Sequence, residues 1–434
     1  MYLGQYSSST VNEKQKQVKK SAHAEEYAMN AIVTPAVHSV PLLAHEEDGN
    51  ISPHYAPFKM NKVPEADKYE DAIELVDLDA NVQSPCGSSF EPNLNKASET
   101  ENTFKQSTER ASSPAVVAEV GNATHSDNEC QSPHQDLIIQ RLKEFASSCN
   151  NMTTAQLRHE FGTLPTPNLT ACKAGLDPQN ARKNRYKNIP CLDSTRVLLT
   201  FLSQEDHTKY IHANRIDYPT LKNGFIITQG PLFATVKDFW RMVWQENVYY
   251  VVMLCRVLEE GKRRSAECFE PTIEHSTLYG PIKVTLKKTK WEGPIKFSQL
   301  ELEYLHESRQ INHYQWQDWV DSTAPTSGTL VELLKKVRGK STVGITVVHC
   351  SAGIGRSGTF VAVEMCLQDL ANALPIDVYK VVSALRRCRA LAVQSFEQYL
   401  AIYRAILNIG EKHGAITRSE VAHFDEIYQS ECEH

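Results

Sequence analysis

The pattern of apolar and polar positions changes near Asp136 and divides the chain into a polar first third and an apolar-rich remainder. The segment DLIIQRLKEFASSC begins at Asp136, and its apolar residues fall at helical spacing, which predicts an amphipathic helix. From there to about Lys412, apolar segments recur between short polar breaks. We therefore predict one folded domain over residues 136–412 and a C-terminal tail over residues 413–434.

Two short apolar segments predict strands in the middle of a sheet. VYYVVMLC (Val248–Cys255) and VGITVVHC (Val343–Cys350) are rich in β-branched residues and almost wholly apolar, as buried central strands are. FEQYLAIYRA, with ILNIG after it, predicts an amphipathic helix that ends at Gly410. Since helices and strands alternate without a regular parallel repeat, the pattern favours an α/β fold, a single domain in which helices flank a highly twisted mixed β-sheet.

Residues 1–135 are rich in Ser, Asn, Glu, Pro and His and poor in long aliphatic runs. A segment of this kind buries too little apolar surface to offset the entropy of ordering, so we predict a disordered N-terminal region. Its acidic segment Glu65–Asn81 is either a transient docking helix or a solvated run of charge. Its Ser-Pro steps are either sites for a proline-directed kinase or ordinary linker material, and they begin at Ser52, Ser84, Ser113 and Ser132.

Composition and charge narrow the classes of protein to which this chain can belong. Of the 434 residues, 41% are apolar, which is enough for a sizeable core. The formal net charge of −6 argues against a protein that coats nucleic acid or anionic membrane, since such proteins are strongly basic. The chain has no apolar run of about 18 residues, so no membrane span is predicted, and its first residues lack a secretory signal. Eleven cysteines without a CxxC pair indicate reduced thiols rather than a zinc site or disulfides, so we expect a cytoplasmic protein.

The segment HCSAGIGRSGTF, which begins at His349, has the pattern of an anion site. It follows a predicted buried strand and continues as a predicted helix, whose N-terminal N–H groups and dipole favour a bound anion. Gly353 and Gly355 allow the backbone to curl with its N–H groups pointing inward. Arg356 adds a planar fork that can bind two phosphate oxygens. The backbone groups predicted to hold the phosphate belong to Ser351, Ala352, Gly353, Ile354 and Gly355.

The same field predicts a nucleophile at Cys350. Helix N-termini and positive charges lower the pKa of a thiol and so favour the reactive thiolate. A thiolate at the base of an anion site implies attack on phosphorus through a phosphocysteine intermediate, and the Ser357 hydroxyl can donate to the sulfur and ease its departure. A nucleotide-binding loop is excluded, because neither GxGxxG nor a Gly-Lys-Ser/Thr ending is present in this segment.

These residues resemble the signature HC-x5-R-S/T of the tyrosine-specific protein tyrosine phosphatase family, and the chain resembles its non-receptor members. The resemblance covers roughly residues 137–412 and includes several motifs in family order, which are KNRY (Lys183–Tyr186), YIHANRI (Tyr210–Ile216), ITQGPL (Ile227–Leu232), DFWRMVW (Asp238–Trp244), LEEGKRR (which contains Glu259), WVD (Trp319–Asp321) and VQSFEQY (Val393–Tyr399). It implies a protein phosphatase that acts on tyrosine-phosphorylated proteins and uses no cofactor or metal. It does not indicate which oligomeric state the protein has.

The resemblance also implies a role for each matching residue. Tyr186 would stack on the substrate ring, and Glu259 would orient Arg356. Asp321 would protonate the phenolate leaving group and then act as base on water, a contribution of about 10²–10⁴-fold. Gln394 would position that water, and Gln398 would support Gln394 and belong to the substrate-binding residues. His349 and Trp319 would support the catalytic loops, and Asn188 stands at the position that binds substrate amides.

The chain departs from the family pattern at three places. Val320 replaces the usual proline of the acid loop, Asn188 replaces an aspartate, and Ser265–Pro271 lacks an aromatic pair. These changes leave an alternative, a catalytically weak pseudophosphatase that serves as a phosphotyrosine-binding scaffold. A dual-specificity phosphatase is disfavoured, because such enzymes resemble a shorter domain without the KNRY loop.

Overall fold

A computed structural model of the chain describes residues 133–202, 206–325, 327–338 and 344–432. The predicted disorder of residues 1–132, the Ser-Pro steps and the acidic segment lie outside the described residues. The strands are β1 (Arg196–Leu198), β2 (Tyr210–Ile216), β3 (Gly224–Thr228), β4 (Val248–Met253), β5 (Leu258–Glu259), β6 (Lys262–Arg263), β7 (Ser276–Tyr279), β8 (Ile282–Glu292), β9 (Ile295–Tyr304), β10 (Glu307–Trp316) and β11 (Ile345–His349). The α-helices are α1 (Pro133–Asn150), α2 (Thr154–Thr163), α3 (Lys173–Leu176), α4 (Val236–Gln245), α5 (Ser327–Arg338), α6 (Gly355–Ala371), α7 (Val378–Cys388), α8 (Phe396–Lys412) and α9 (Ala422–Cys432).

Nine of these strands form one mixed sheet in the order β1-β2-β3-β11-β4-β10-β9-β8-β7, while β5 and β6 form a separate two-stranded ribbon. The predicted mixed sheet is confirmed, and the two apolar segments form its centre as β4 and β11. Consecutive residues of β11 point to opposite faces, as the period of a strand requires. Val348 belongs to the same buried cluster as Phe360 of α6 on one face, and Val347 belongs to the same buried cluster as Trp240 of α4 on the other. Burial on both faces explains why the strand is mostly apolar and β-branched.

The four parallel strands determine where a site can form. β11 pairs in parallel with β3 and β4, and β10 pairs in parallel with β4. Their carboxyl ends therefore lie at one edge of the sheet, which is where ligands bind in open α/β sheets. The segments that follow these ends contain Gln229, Cys350, Glu259 and Asp321.

The structure extends the domain beyond both predicted boundaries. The first helix begins at Pro133 rather than near Asp136, and residues 418–432 do not form a separate tail. They form a short 3₁₀ turn and α9, which bury Phe424 and Val421 in the main core. Residues 418–432 join the domain because α9 contributes apolar side chains to a surface that α1 and α8 leave uncovered.

The predicted end of α8 at Gly410 is wrong. The helix continues to Lys412, and the residue in the left-handed region after it is Gly414, with φ of +68°. Gly410 is needed for close packing instead, since a Cβ there would lie 2.9 Å from the Ile416 side chain.

Among the described helices, none is both long and apolar enough to cross a lipid bilayer.

Three fully buried histidines lead to a prediction about acid stability. Burial lowers the pKa of His212 and of His313 to about 3 and that of His349 to about 4. The unfolded chain therefore binds more protons than the folded chain below about pH 6.5, so the free energy of unfolding should fall as the pH drops from there towards 4. Each histidine contributes at most about 1.4 kcal/mol per pH unit. Urea unfolding at pH 7.5 and 5.5 measures this loss.

In the same experiment, His313→Gln should reduce the pH dependence, whereas His306→Gln, at an exposed position, should leave it unchanged. Equal stability of the wild-type chain at both pH values would contradict the prediction.

Candidate active site

Cys350 lies at the carboxyl end of the central strand β11, directly before a tight loop that leads into α6. The thiol side chain is only 2% exposed, and the flanking strands β3 and β4 cover β11 from both sides. The strand therefore holds Cys350 at the bottom of a depression in the edge of the sheet.

The carbonyl groups of residues 351–355 all accept hydrogen bonds from groups around the loop. The donors are Gly230 N to Ser351 O (2.8 Å), Arg389 Nη2 to Ala352 O (3.0 Å), Arg389 Nε to Gly353 O (2.9 Å), Val393 N to Ile354 O (3.0 Å) and Thr359 Oγ1 to Gly355 O (3.1 Å). The N–H groups of residues 351–354 have no acceptor within the described part of the chain. Since the carbonyls point outward, these donors face the space above Cys350, which forms a nest for an anion.

Gly353 and Gly355 contribute to this loop in different ways. Gly353 has a φ of +67°, and a Cβ there would lie 2.1 Å from the Thr228 carbonyl oxygen, so only glycine fits. Gly355 is not in the left-handed region; a Cβ there would lie 3.0 Å from the Gln398 amide and 3.2 Å from Gln394 Oε1. The first glycine shapes the backbone, and the second leaves room for the glutamine side chains.

Arg389 is a buried residue that the sequence analysis missed. Its guanidinium holds two loop carbonyls, and its Nη1 also contacts Asn214 Oδ1 at 2.8 Å and His212 Nδ1 at 3.0 Å. Burial lowers the pKa of Arg389. The only signal in the sequence is an arginine in the run RRCRA after an amphipathic helix, which is ordinary for a helix end.

Arg356 is fully buried at the start of α6 and is held by two groups. Glu259 accepts from Nη1 at 2.7 Å and from Nη2 at 3.0 Å, and the Trp319 carbonyl accepts from Nη1 at 2.9 Å. Although partial burial opposes the shift, these hydrogen bonds and the charge of Arg356 hold the pKa of Glu259 below its usual value. Arg356 Nε is buried and has no partner among the described residues, so a donor remains for a ligand.

Asp321 lies beside the same arginine, on the segment that follows β10. Its carboxylate is 3.2 Å from Arg356 Nη2 and 3.1 Å from Arg264 Nη1. Arg264, which also lies 3.3 Å from Glu259, is a second site residue that the sequence analysis missed. It is the last residue of the basic run KRR, which reads as a solvated surface.

The segment around Asp321 is held by one hydrogen bond within the segment and by one from the residue before α8. Trp319 donates from Nε1 to the Thr323 carbonyl at 3.0 Å, and Ser395 Oγ donates to the Ser322 carbonyl at 2.8 Å. Val320 is 60% exposed, and its N–H donates to no residue in the described ranges. Position 320 therefore needs no hydrogen-bond donor here.

Tyr186 forms one wall above the loop. Its hydroxyl lies 2.8 Å from Ser351 Oγ. The neighbouring Arg185 fixes this segment by donating to the carbonyls of Gly230 (2.9 Å), Arg263 (2.9 Å) and Pro231 (2.7 Å). Asn188 is exposed at the rim and makes no hydrogen bond within the described part of the chain.

Gln394 and Gln398 lie over the start of α6 on the opposite side. Gln398 is fully buried, and its Oε1 accepts from the backbone N of Gln394 at 3.1 Å and of Ser395 at 3.3 Å. The structure thus gives Gln398 a supporting place beneath Gln394 rather than direct access to a substrate, which its predicted substrate-binding role would require. Gln394 itself is exposed towards the depression.

Two further predicted residues lie close to Cys350. The Ser357 hydroxyl is buried and has no hydrogen-bond partner among the described residues, so the predicted bond to the Cys350 sulfur is not formed. His349 is buried behind the loop, where its Nδ1 lies 3.3 Å from the Cys350 carbonyl and its ring packs edge-on to Phe239. Burial keeps His349 neutral, which suits a packing role.

Together these groups surround one small volume with a thiol below, inward-facing N–H groups around it, a guanidinium at one side and a carboxylate above. Such a volume fits a tetrahedral oxyanion, with the carboxylate placed to exchange a proton. No cluster of His, Cys, Asp or Glu side chains in the described ranges is arranged to hold a metal ion.

Comparison with known proteins gives consistent matches over this region. A family model described as protein-tyrosine phosphatase matches residues 180–408, more than half of the chain. The chain is 38% identical over 264 residues to human tyrosine-protein phosphatase non-receptor type 9, which covers 56% of this chain and 44% of that protein. It is 33% identical over 293 residues to mouse tyrosine-protein phosphatase non-receptor type 18, which covers 64% of each. The chain spans about half the length of the type 9 relatives, 44% of the human and 50% of the mouse protein.

Proposed function

Because the chain belongs to the protein-tyrosine phosphatase family, we propose that it hydrolyses phosphotyrosine on proteins through a cysteinyl-phosphate intermediate in the cytoplasm. The observation that carries the proposal is the loop of residues 351–355, whose carbonyls are all tied outward above Cys350. That arrangement leaves N–H donors for three phosphate oxygens, and no acceptor in the described part of the chain competes for them.

Each step of the reaction then has a group in reach. The Cys350 thiolate attacks phosphorus, and the bond to the tyrosine oxygen breaks while Asp321 supplies a proton to that oxygen. Arg356 and the loop N–H groups bind the charge that develops on the phosphoryl oxygens. In the second step water attacks phosphorus, the sulfur leaves as thiolate, and Asp321 takes the proton. Gln394 lies where it can orient that water.

The depth of the site supports selectivity for tyrosine. Cys350 is almost fully buried at the bottom of the depression, and Tyr186 stands along one side. A phosphotyrosine is long enough to bring its phosphorus to the sulfur, whereas a phosphoserine is shorter by the length of a ring.

Turnover of two peptides of the same sequence, one with phosphotyrosine and one with phosphoserine, by the full chain tests the proposal. We expect hydrolysis of the first only. Equal rates on both would contradict tyrosine selectivity, and no turnover of either would favour the scaffold alternative.

Val320→Pro should raise kcat, because proline restricts the open forms of the acid loop. Position 320 donates no hydrogen bond to a described residue, so proline is expected to fit without losing one. At a compatible site proline contributes about 0.4–1 kcal/mol, which corresponds to a two- to fivefold gain in the closed fraction. The measurement is kcat on a phosphotyrosyl peptide, with Val320→Ala as the matched variant that should show no gain.

The affinity of Cys350→Ser for the same peptide should not change when Val320→Pro is added. If the wild-type chain shows no turnover and Val320→Pro restores it, the natural protein is a binder and the pseudophosphatase alternative holds.

Asn188→Asp should improve peptide capture without altering the chemistry. Asn188 lies at the exposed rim, where a carboxylate accepts amide hydrogen bonds about 1 kcal/mol more strongly than a neutral amide does. We expect a KM for phosphotyrosyl peptides that is about fivefold lower, and an unchanged KM for a small aryl phosphate that has no amides. Equal changes for both substrates would contradict this assignment.

A further inference from the structure

Arg386 is a half-buried arginine near the end of α7 that no step of the proposed reaction uses. Its Nε donates to the Ala392 carbonyl and its Nη2 to the Val393 carbonyl, both at 2.9 Å. Its Nη1 reaches the carbonyls of Leu164 (3.5 Å) and Pro165 (3.4 Å), directly after α2. No carboxylate pairs with it among the described residues. Its guanidinium therefore donates only to backbone oxygens, lies 5.7 Å from the centre of the Phe161 ring of α2, and bridges α2 to the segment before Gln394.

The segment that Arg386 holds has a strained backbone. Leu391 has a φ of +62° and Val393 a φ of +61°, a region that a β-branched residue rarely adopts. Val393 is fully buried, so its conformation is set by its surroundings. Strain of this kind costs about 1–3 kcal/mol and persists only where neighbouring groups impose it. Arg386 supplies two such constraints, one on the carbonyl of residue 392 and one on the carbonyl of residue 393.

The strained segment connects directly to the anion loop. Val393 donates its N–H to the Ile354 carbonyl at 3.0 Å. The backbone of Val393 also lies so close to α6 that a Cβ at Gly358 would be 2.6 Å from Val393 N, so that position requires glycine. The next residue, Gln394, has its Oε1 3.2 Å from the Cβ position of Gly355, over the start of α6. The position of residue 393 thus determines how close this segment lies to the anion loop. It also determines the direction in which the Gln394 side chain points.

From these contacts we propose that Arg386 is a positioning residue for the second chemical step, which it serves by holding Gln394 over the phosphocysteine. The inference rests on the proposed function. In that step the water oxygen bonds to phosphorus as the S–P bond breaks, the electron pair returns to Cys350 sulfur, and the water proton passes to Asp321. Gln394 orients the water, so displacing it slows this step and leaves the attack of Cys350 on substrate intact.

The test is rapid-mixing kinetics of the full chain with an aryl phosphate that releases a coloured phenol. Arg386→Met should lower kcat by on the order of 10- to 100-fold, the cost of a small misplacement of a reacting group. It should also produce a burst of phenol equal to the enzyme concentration, and phosphoenzyme should be trapped by acid quenching. Arg387→Met, at the exposed neighbouring position, is the matched control and should show neither effect.

A double-mutant cycle separates positioning from general structural damage. Gln394→Ala should reproduce the burst, and Arg386→Met should add little to it, since Arg386 acts through Gln394. Arg386→Lys should recover part of kcat and is the variant to use if Arg386→Met is unstable, because lysine keeps the charge but lacks the planar guanidinium that reaches both segments.

Different results would overturn different proposals. Unchanged kcat in Arg386→Met, a loss without a burst, or additive losses in the double mutant would overturn the positioning role alone, provided that the wild-type chain turns over. No turnover by the wild-type chain would overturn the proposed function and this inference together.

Discussion

Cys350→Ser is expected to abolish turnover and to leave phosphopeptide binding measurable. A serine hydroxyl is not ionised near neutral pH, so no nucleophile remains, whereas the outward-tied loop and Arg356 still bind phosphate. We expect a fall in kcat on the order of 10⁴- to 10⁶-fold, the range seen when a catalytic residue is removed from a covalent hydrolase. The measurements are kcat on a phosphotyrosyl peptide and the Kd of the same peptide for the variant.

Cys366→Ser is a suitable control, because Cys366 is an equally buried thiol on α6 and lies outside the site. This control variant should keep its activity. Hydrolysis by Cys350→Ser above a few per cent of the wild-type rate would overturn the covalent mechanism.

Asp321→Asn is expected to slow the chemistry by about 10²–10⁴-fold, the usual contribution of a positioned general acid and base. The amide can still contact Arg356 and Arg264 but cannot supply a proton to the leaving oxygen. Since Tyr has a pKa of about 10, phenolate of tyrosine leaves poorly without that proton. The loss should therefore be larger for phosphotyrosine than for an aryl phosphate whose phenol is much more acidic.

The comparison of the two substrates distinguishes acid catalysis from a misplaced loop. A misplaced loop would slow both substrates equally and weaken peptide binding. An Asp321→Asn variant with unchanged kcat would show that Asp321 is not the acid.

The sequence alone predicted the parts of the site that depend on local chemistry. A buried apolar strand, a Cys-x5-Arg loop and a helix are consecutive in the chain, so their order already predicts an anion site between Cys350 and Arg356. Gly353 belongs to the same group, because its positive φ is a property of a single residue. The mixed sheet was likewise predictable, since both central strands are apolar on both faces.

Tertiary structure alone decided which distant residues support that site. Arg389, Arg264 and Arg386 stand in basic runs that read as solvated surface, yet each is partly or fully buried against the catalytic loops. Their partners include backbone carbonyls and a carboxylate on distant segments of the chain, and no spacing pattern encodes such contacts. Gly410 shows the same limit, because a glycine near a helix end looks like a cap until the packing of Ile416 against it is known. Local sequence thus determined the reacting groups, and long-range packing determined how they are held.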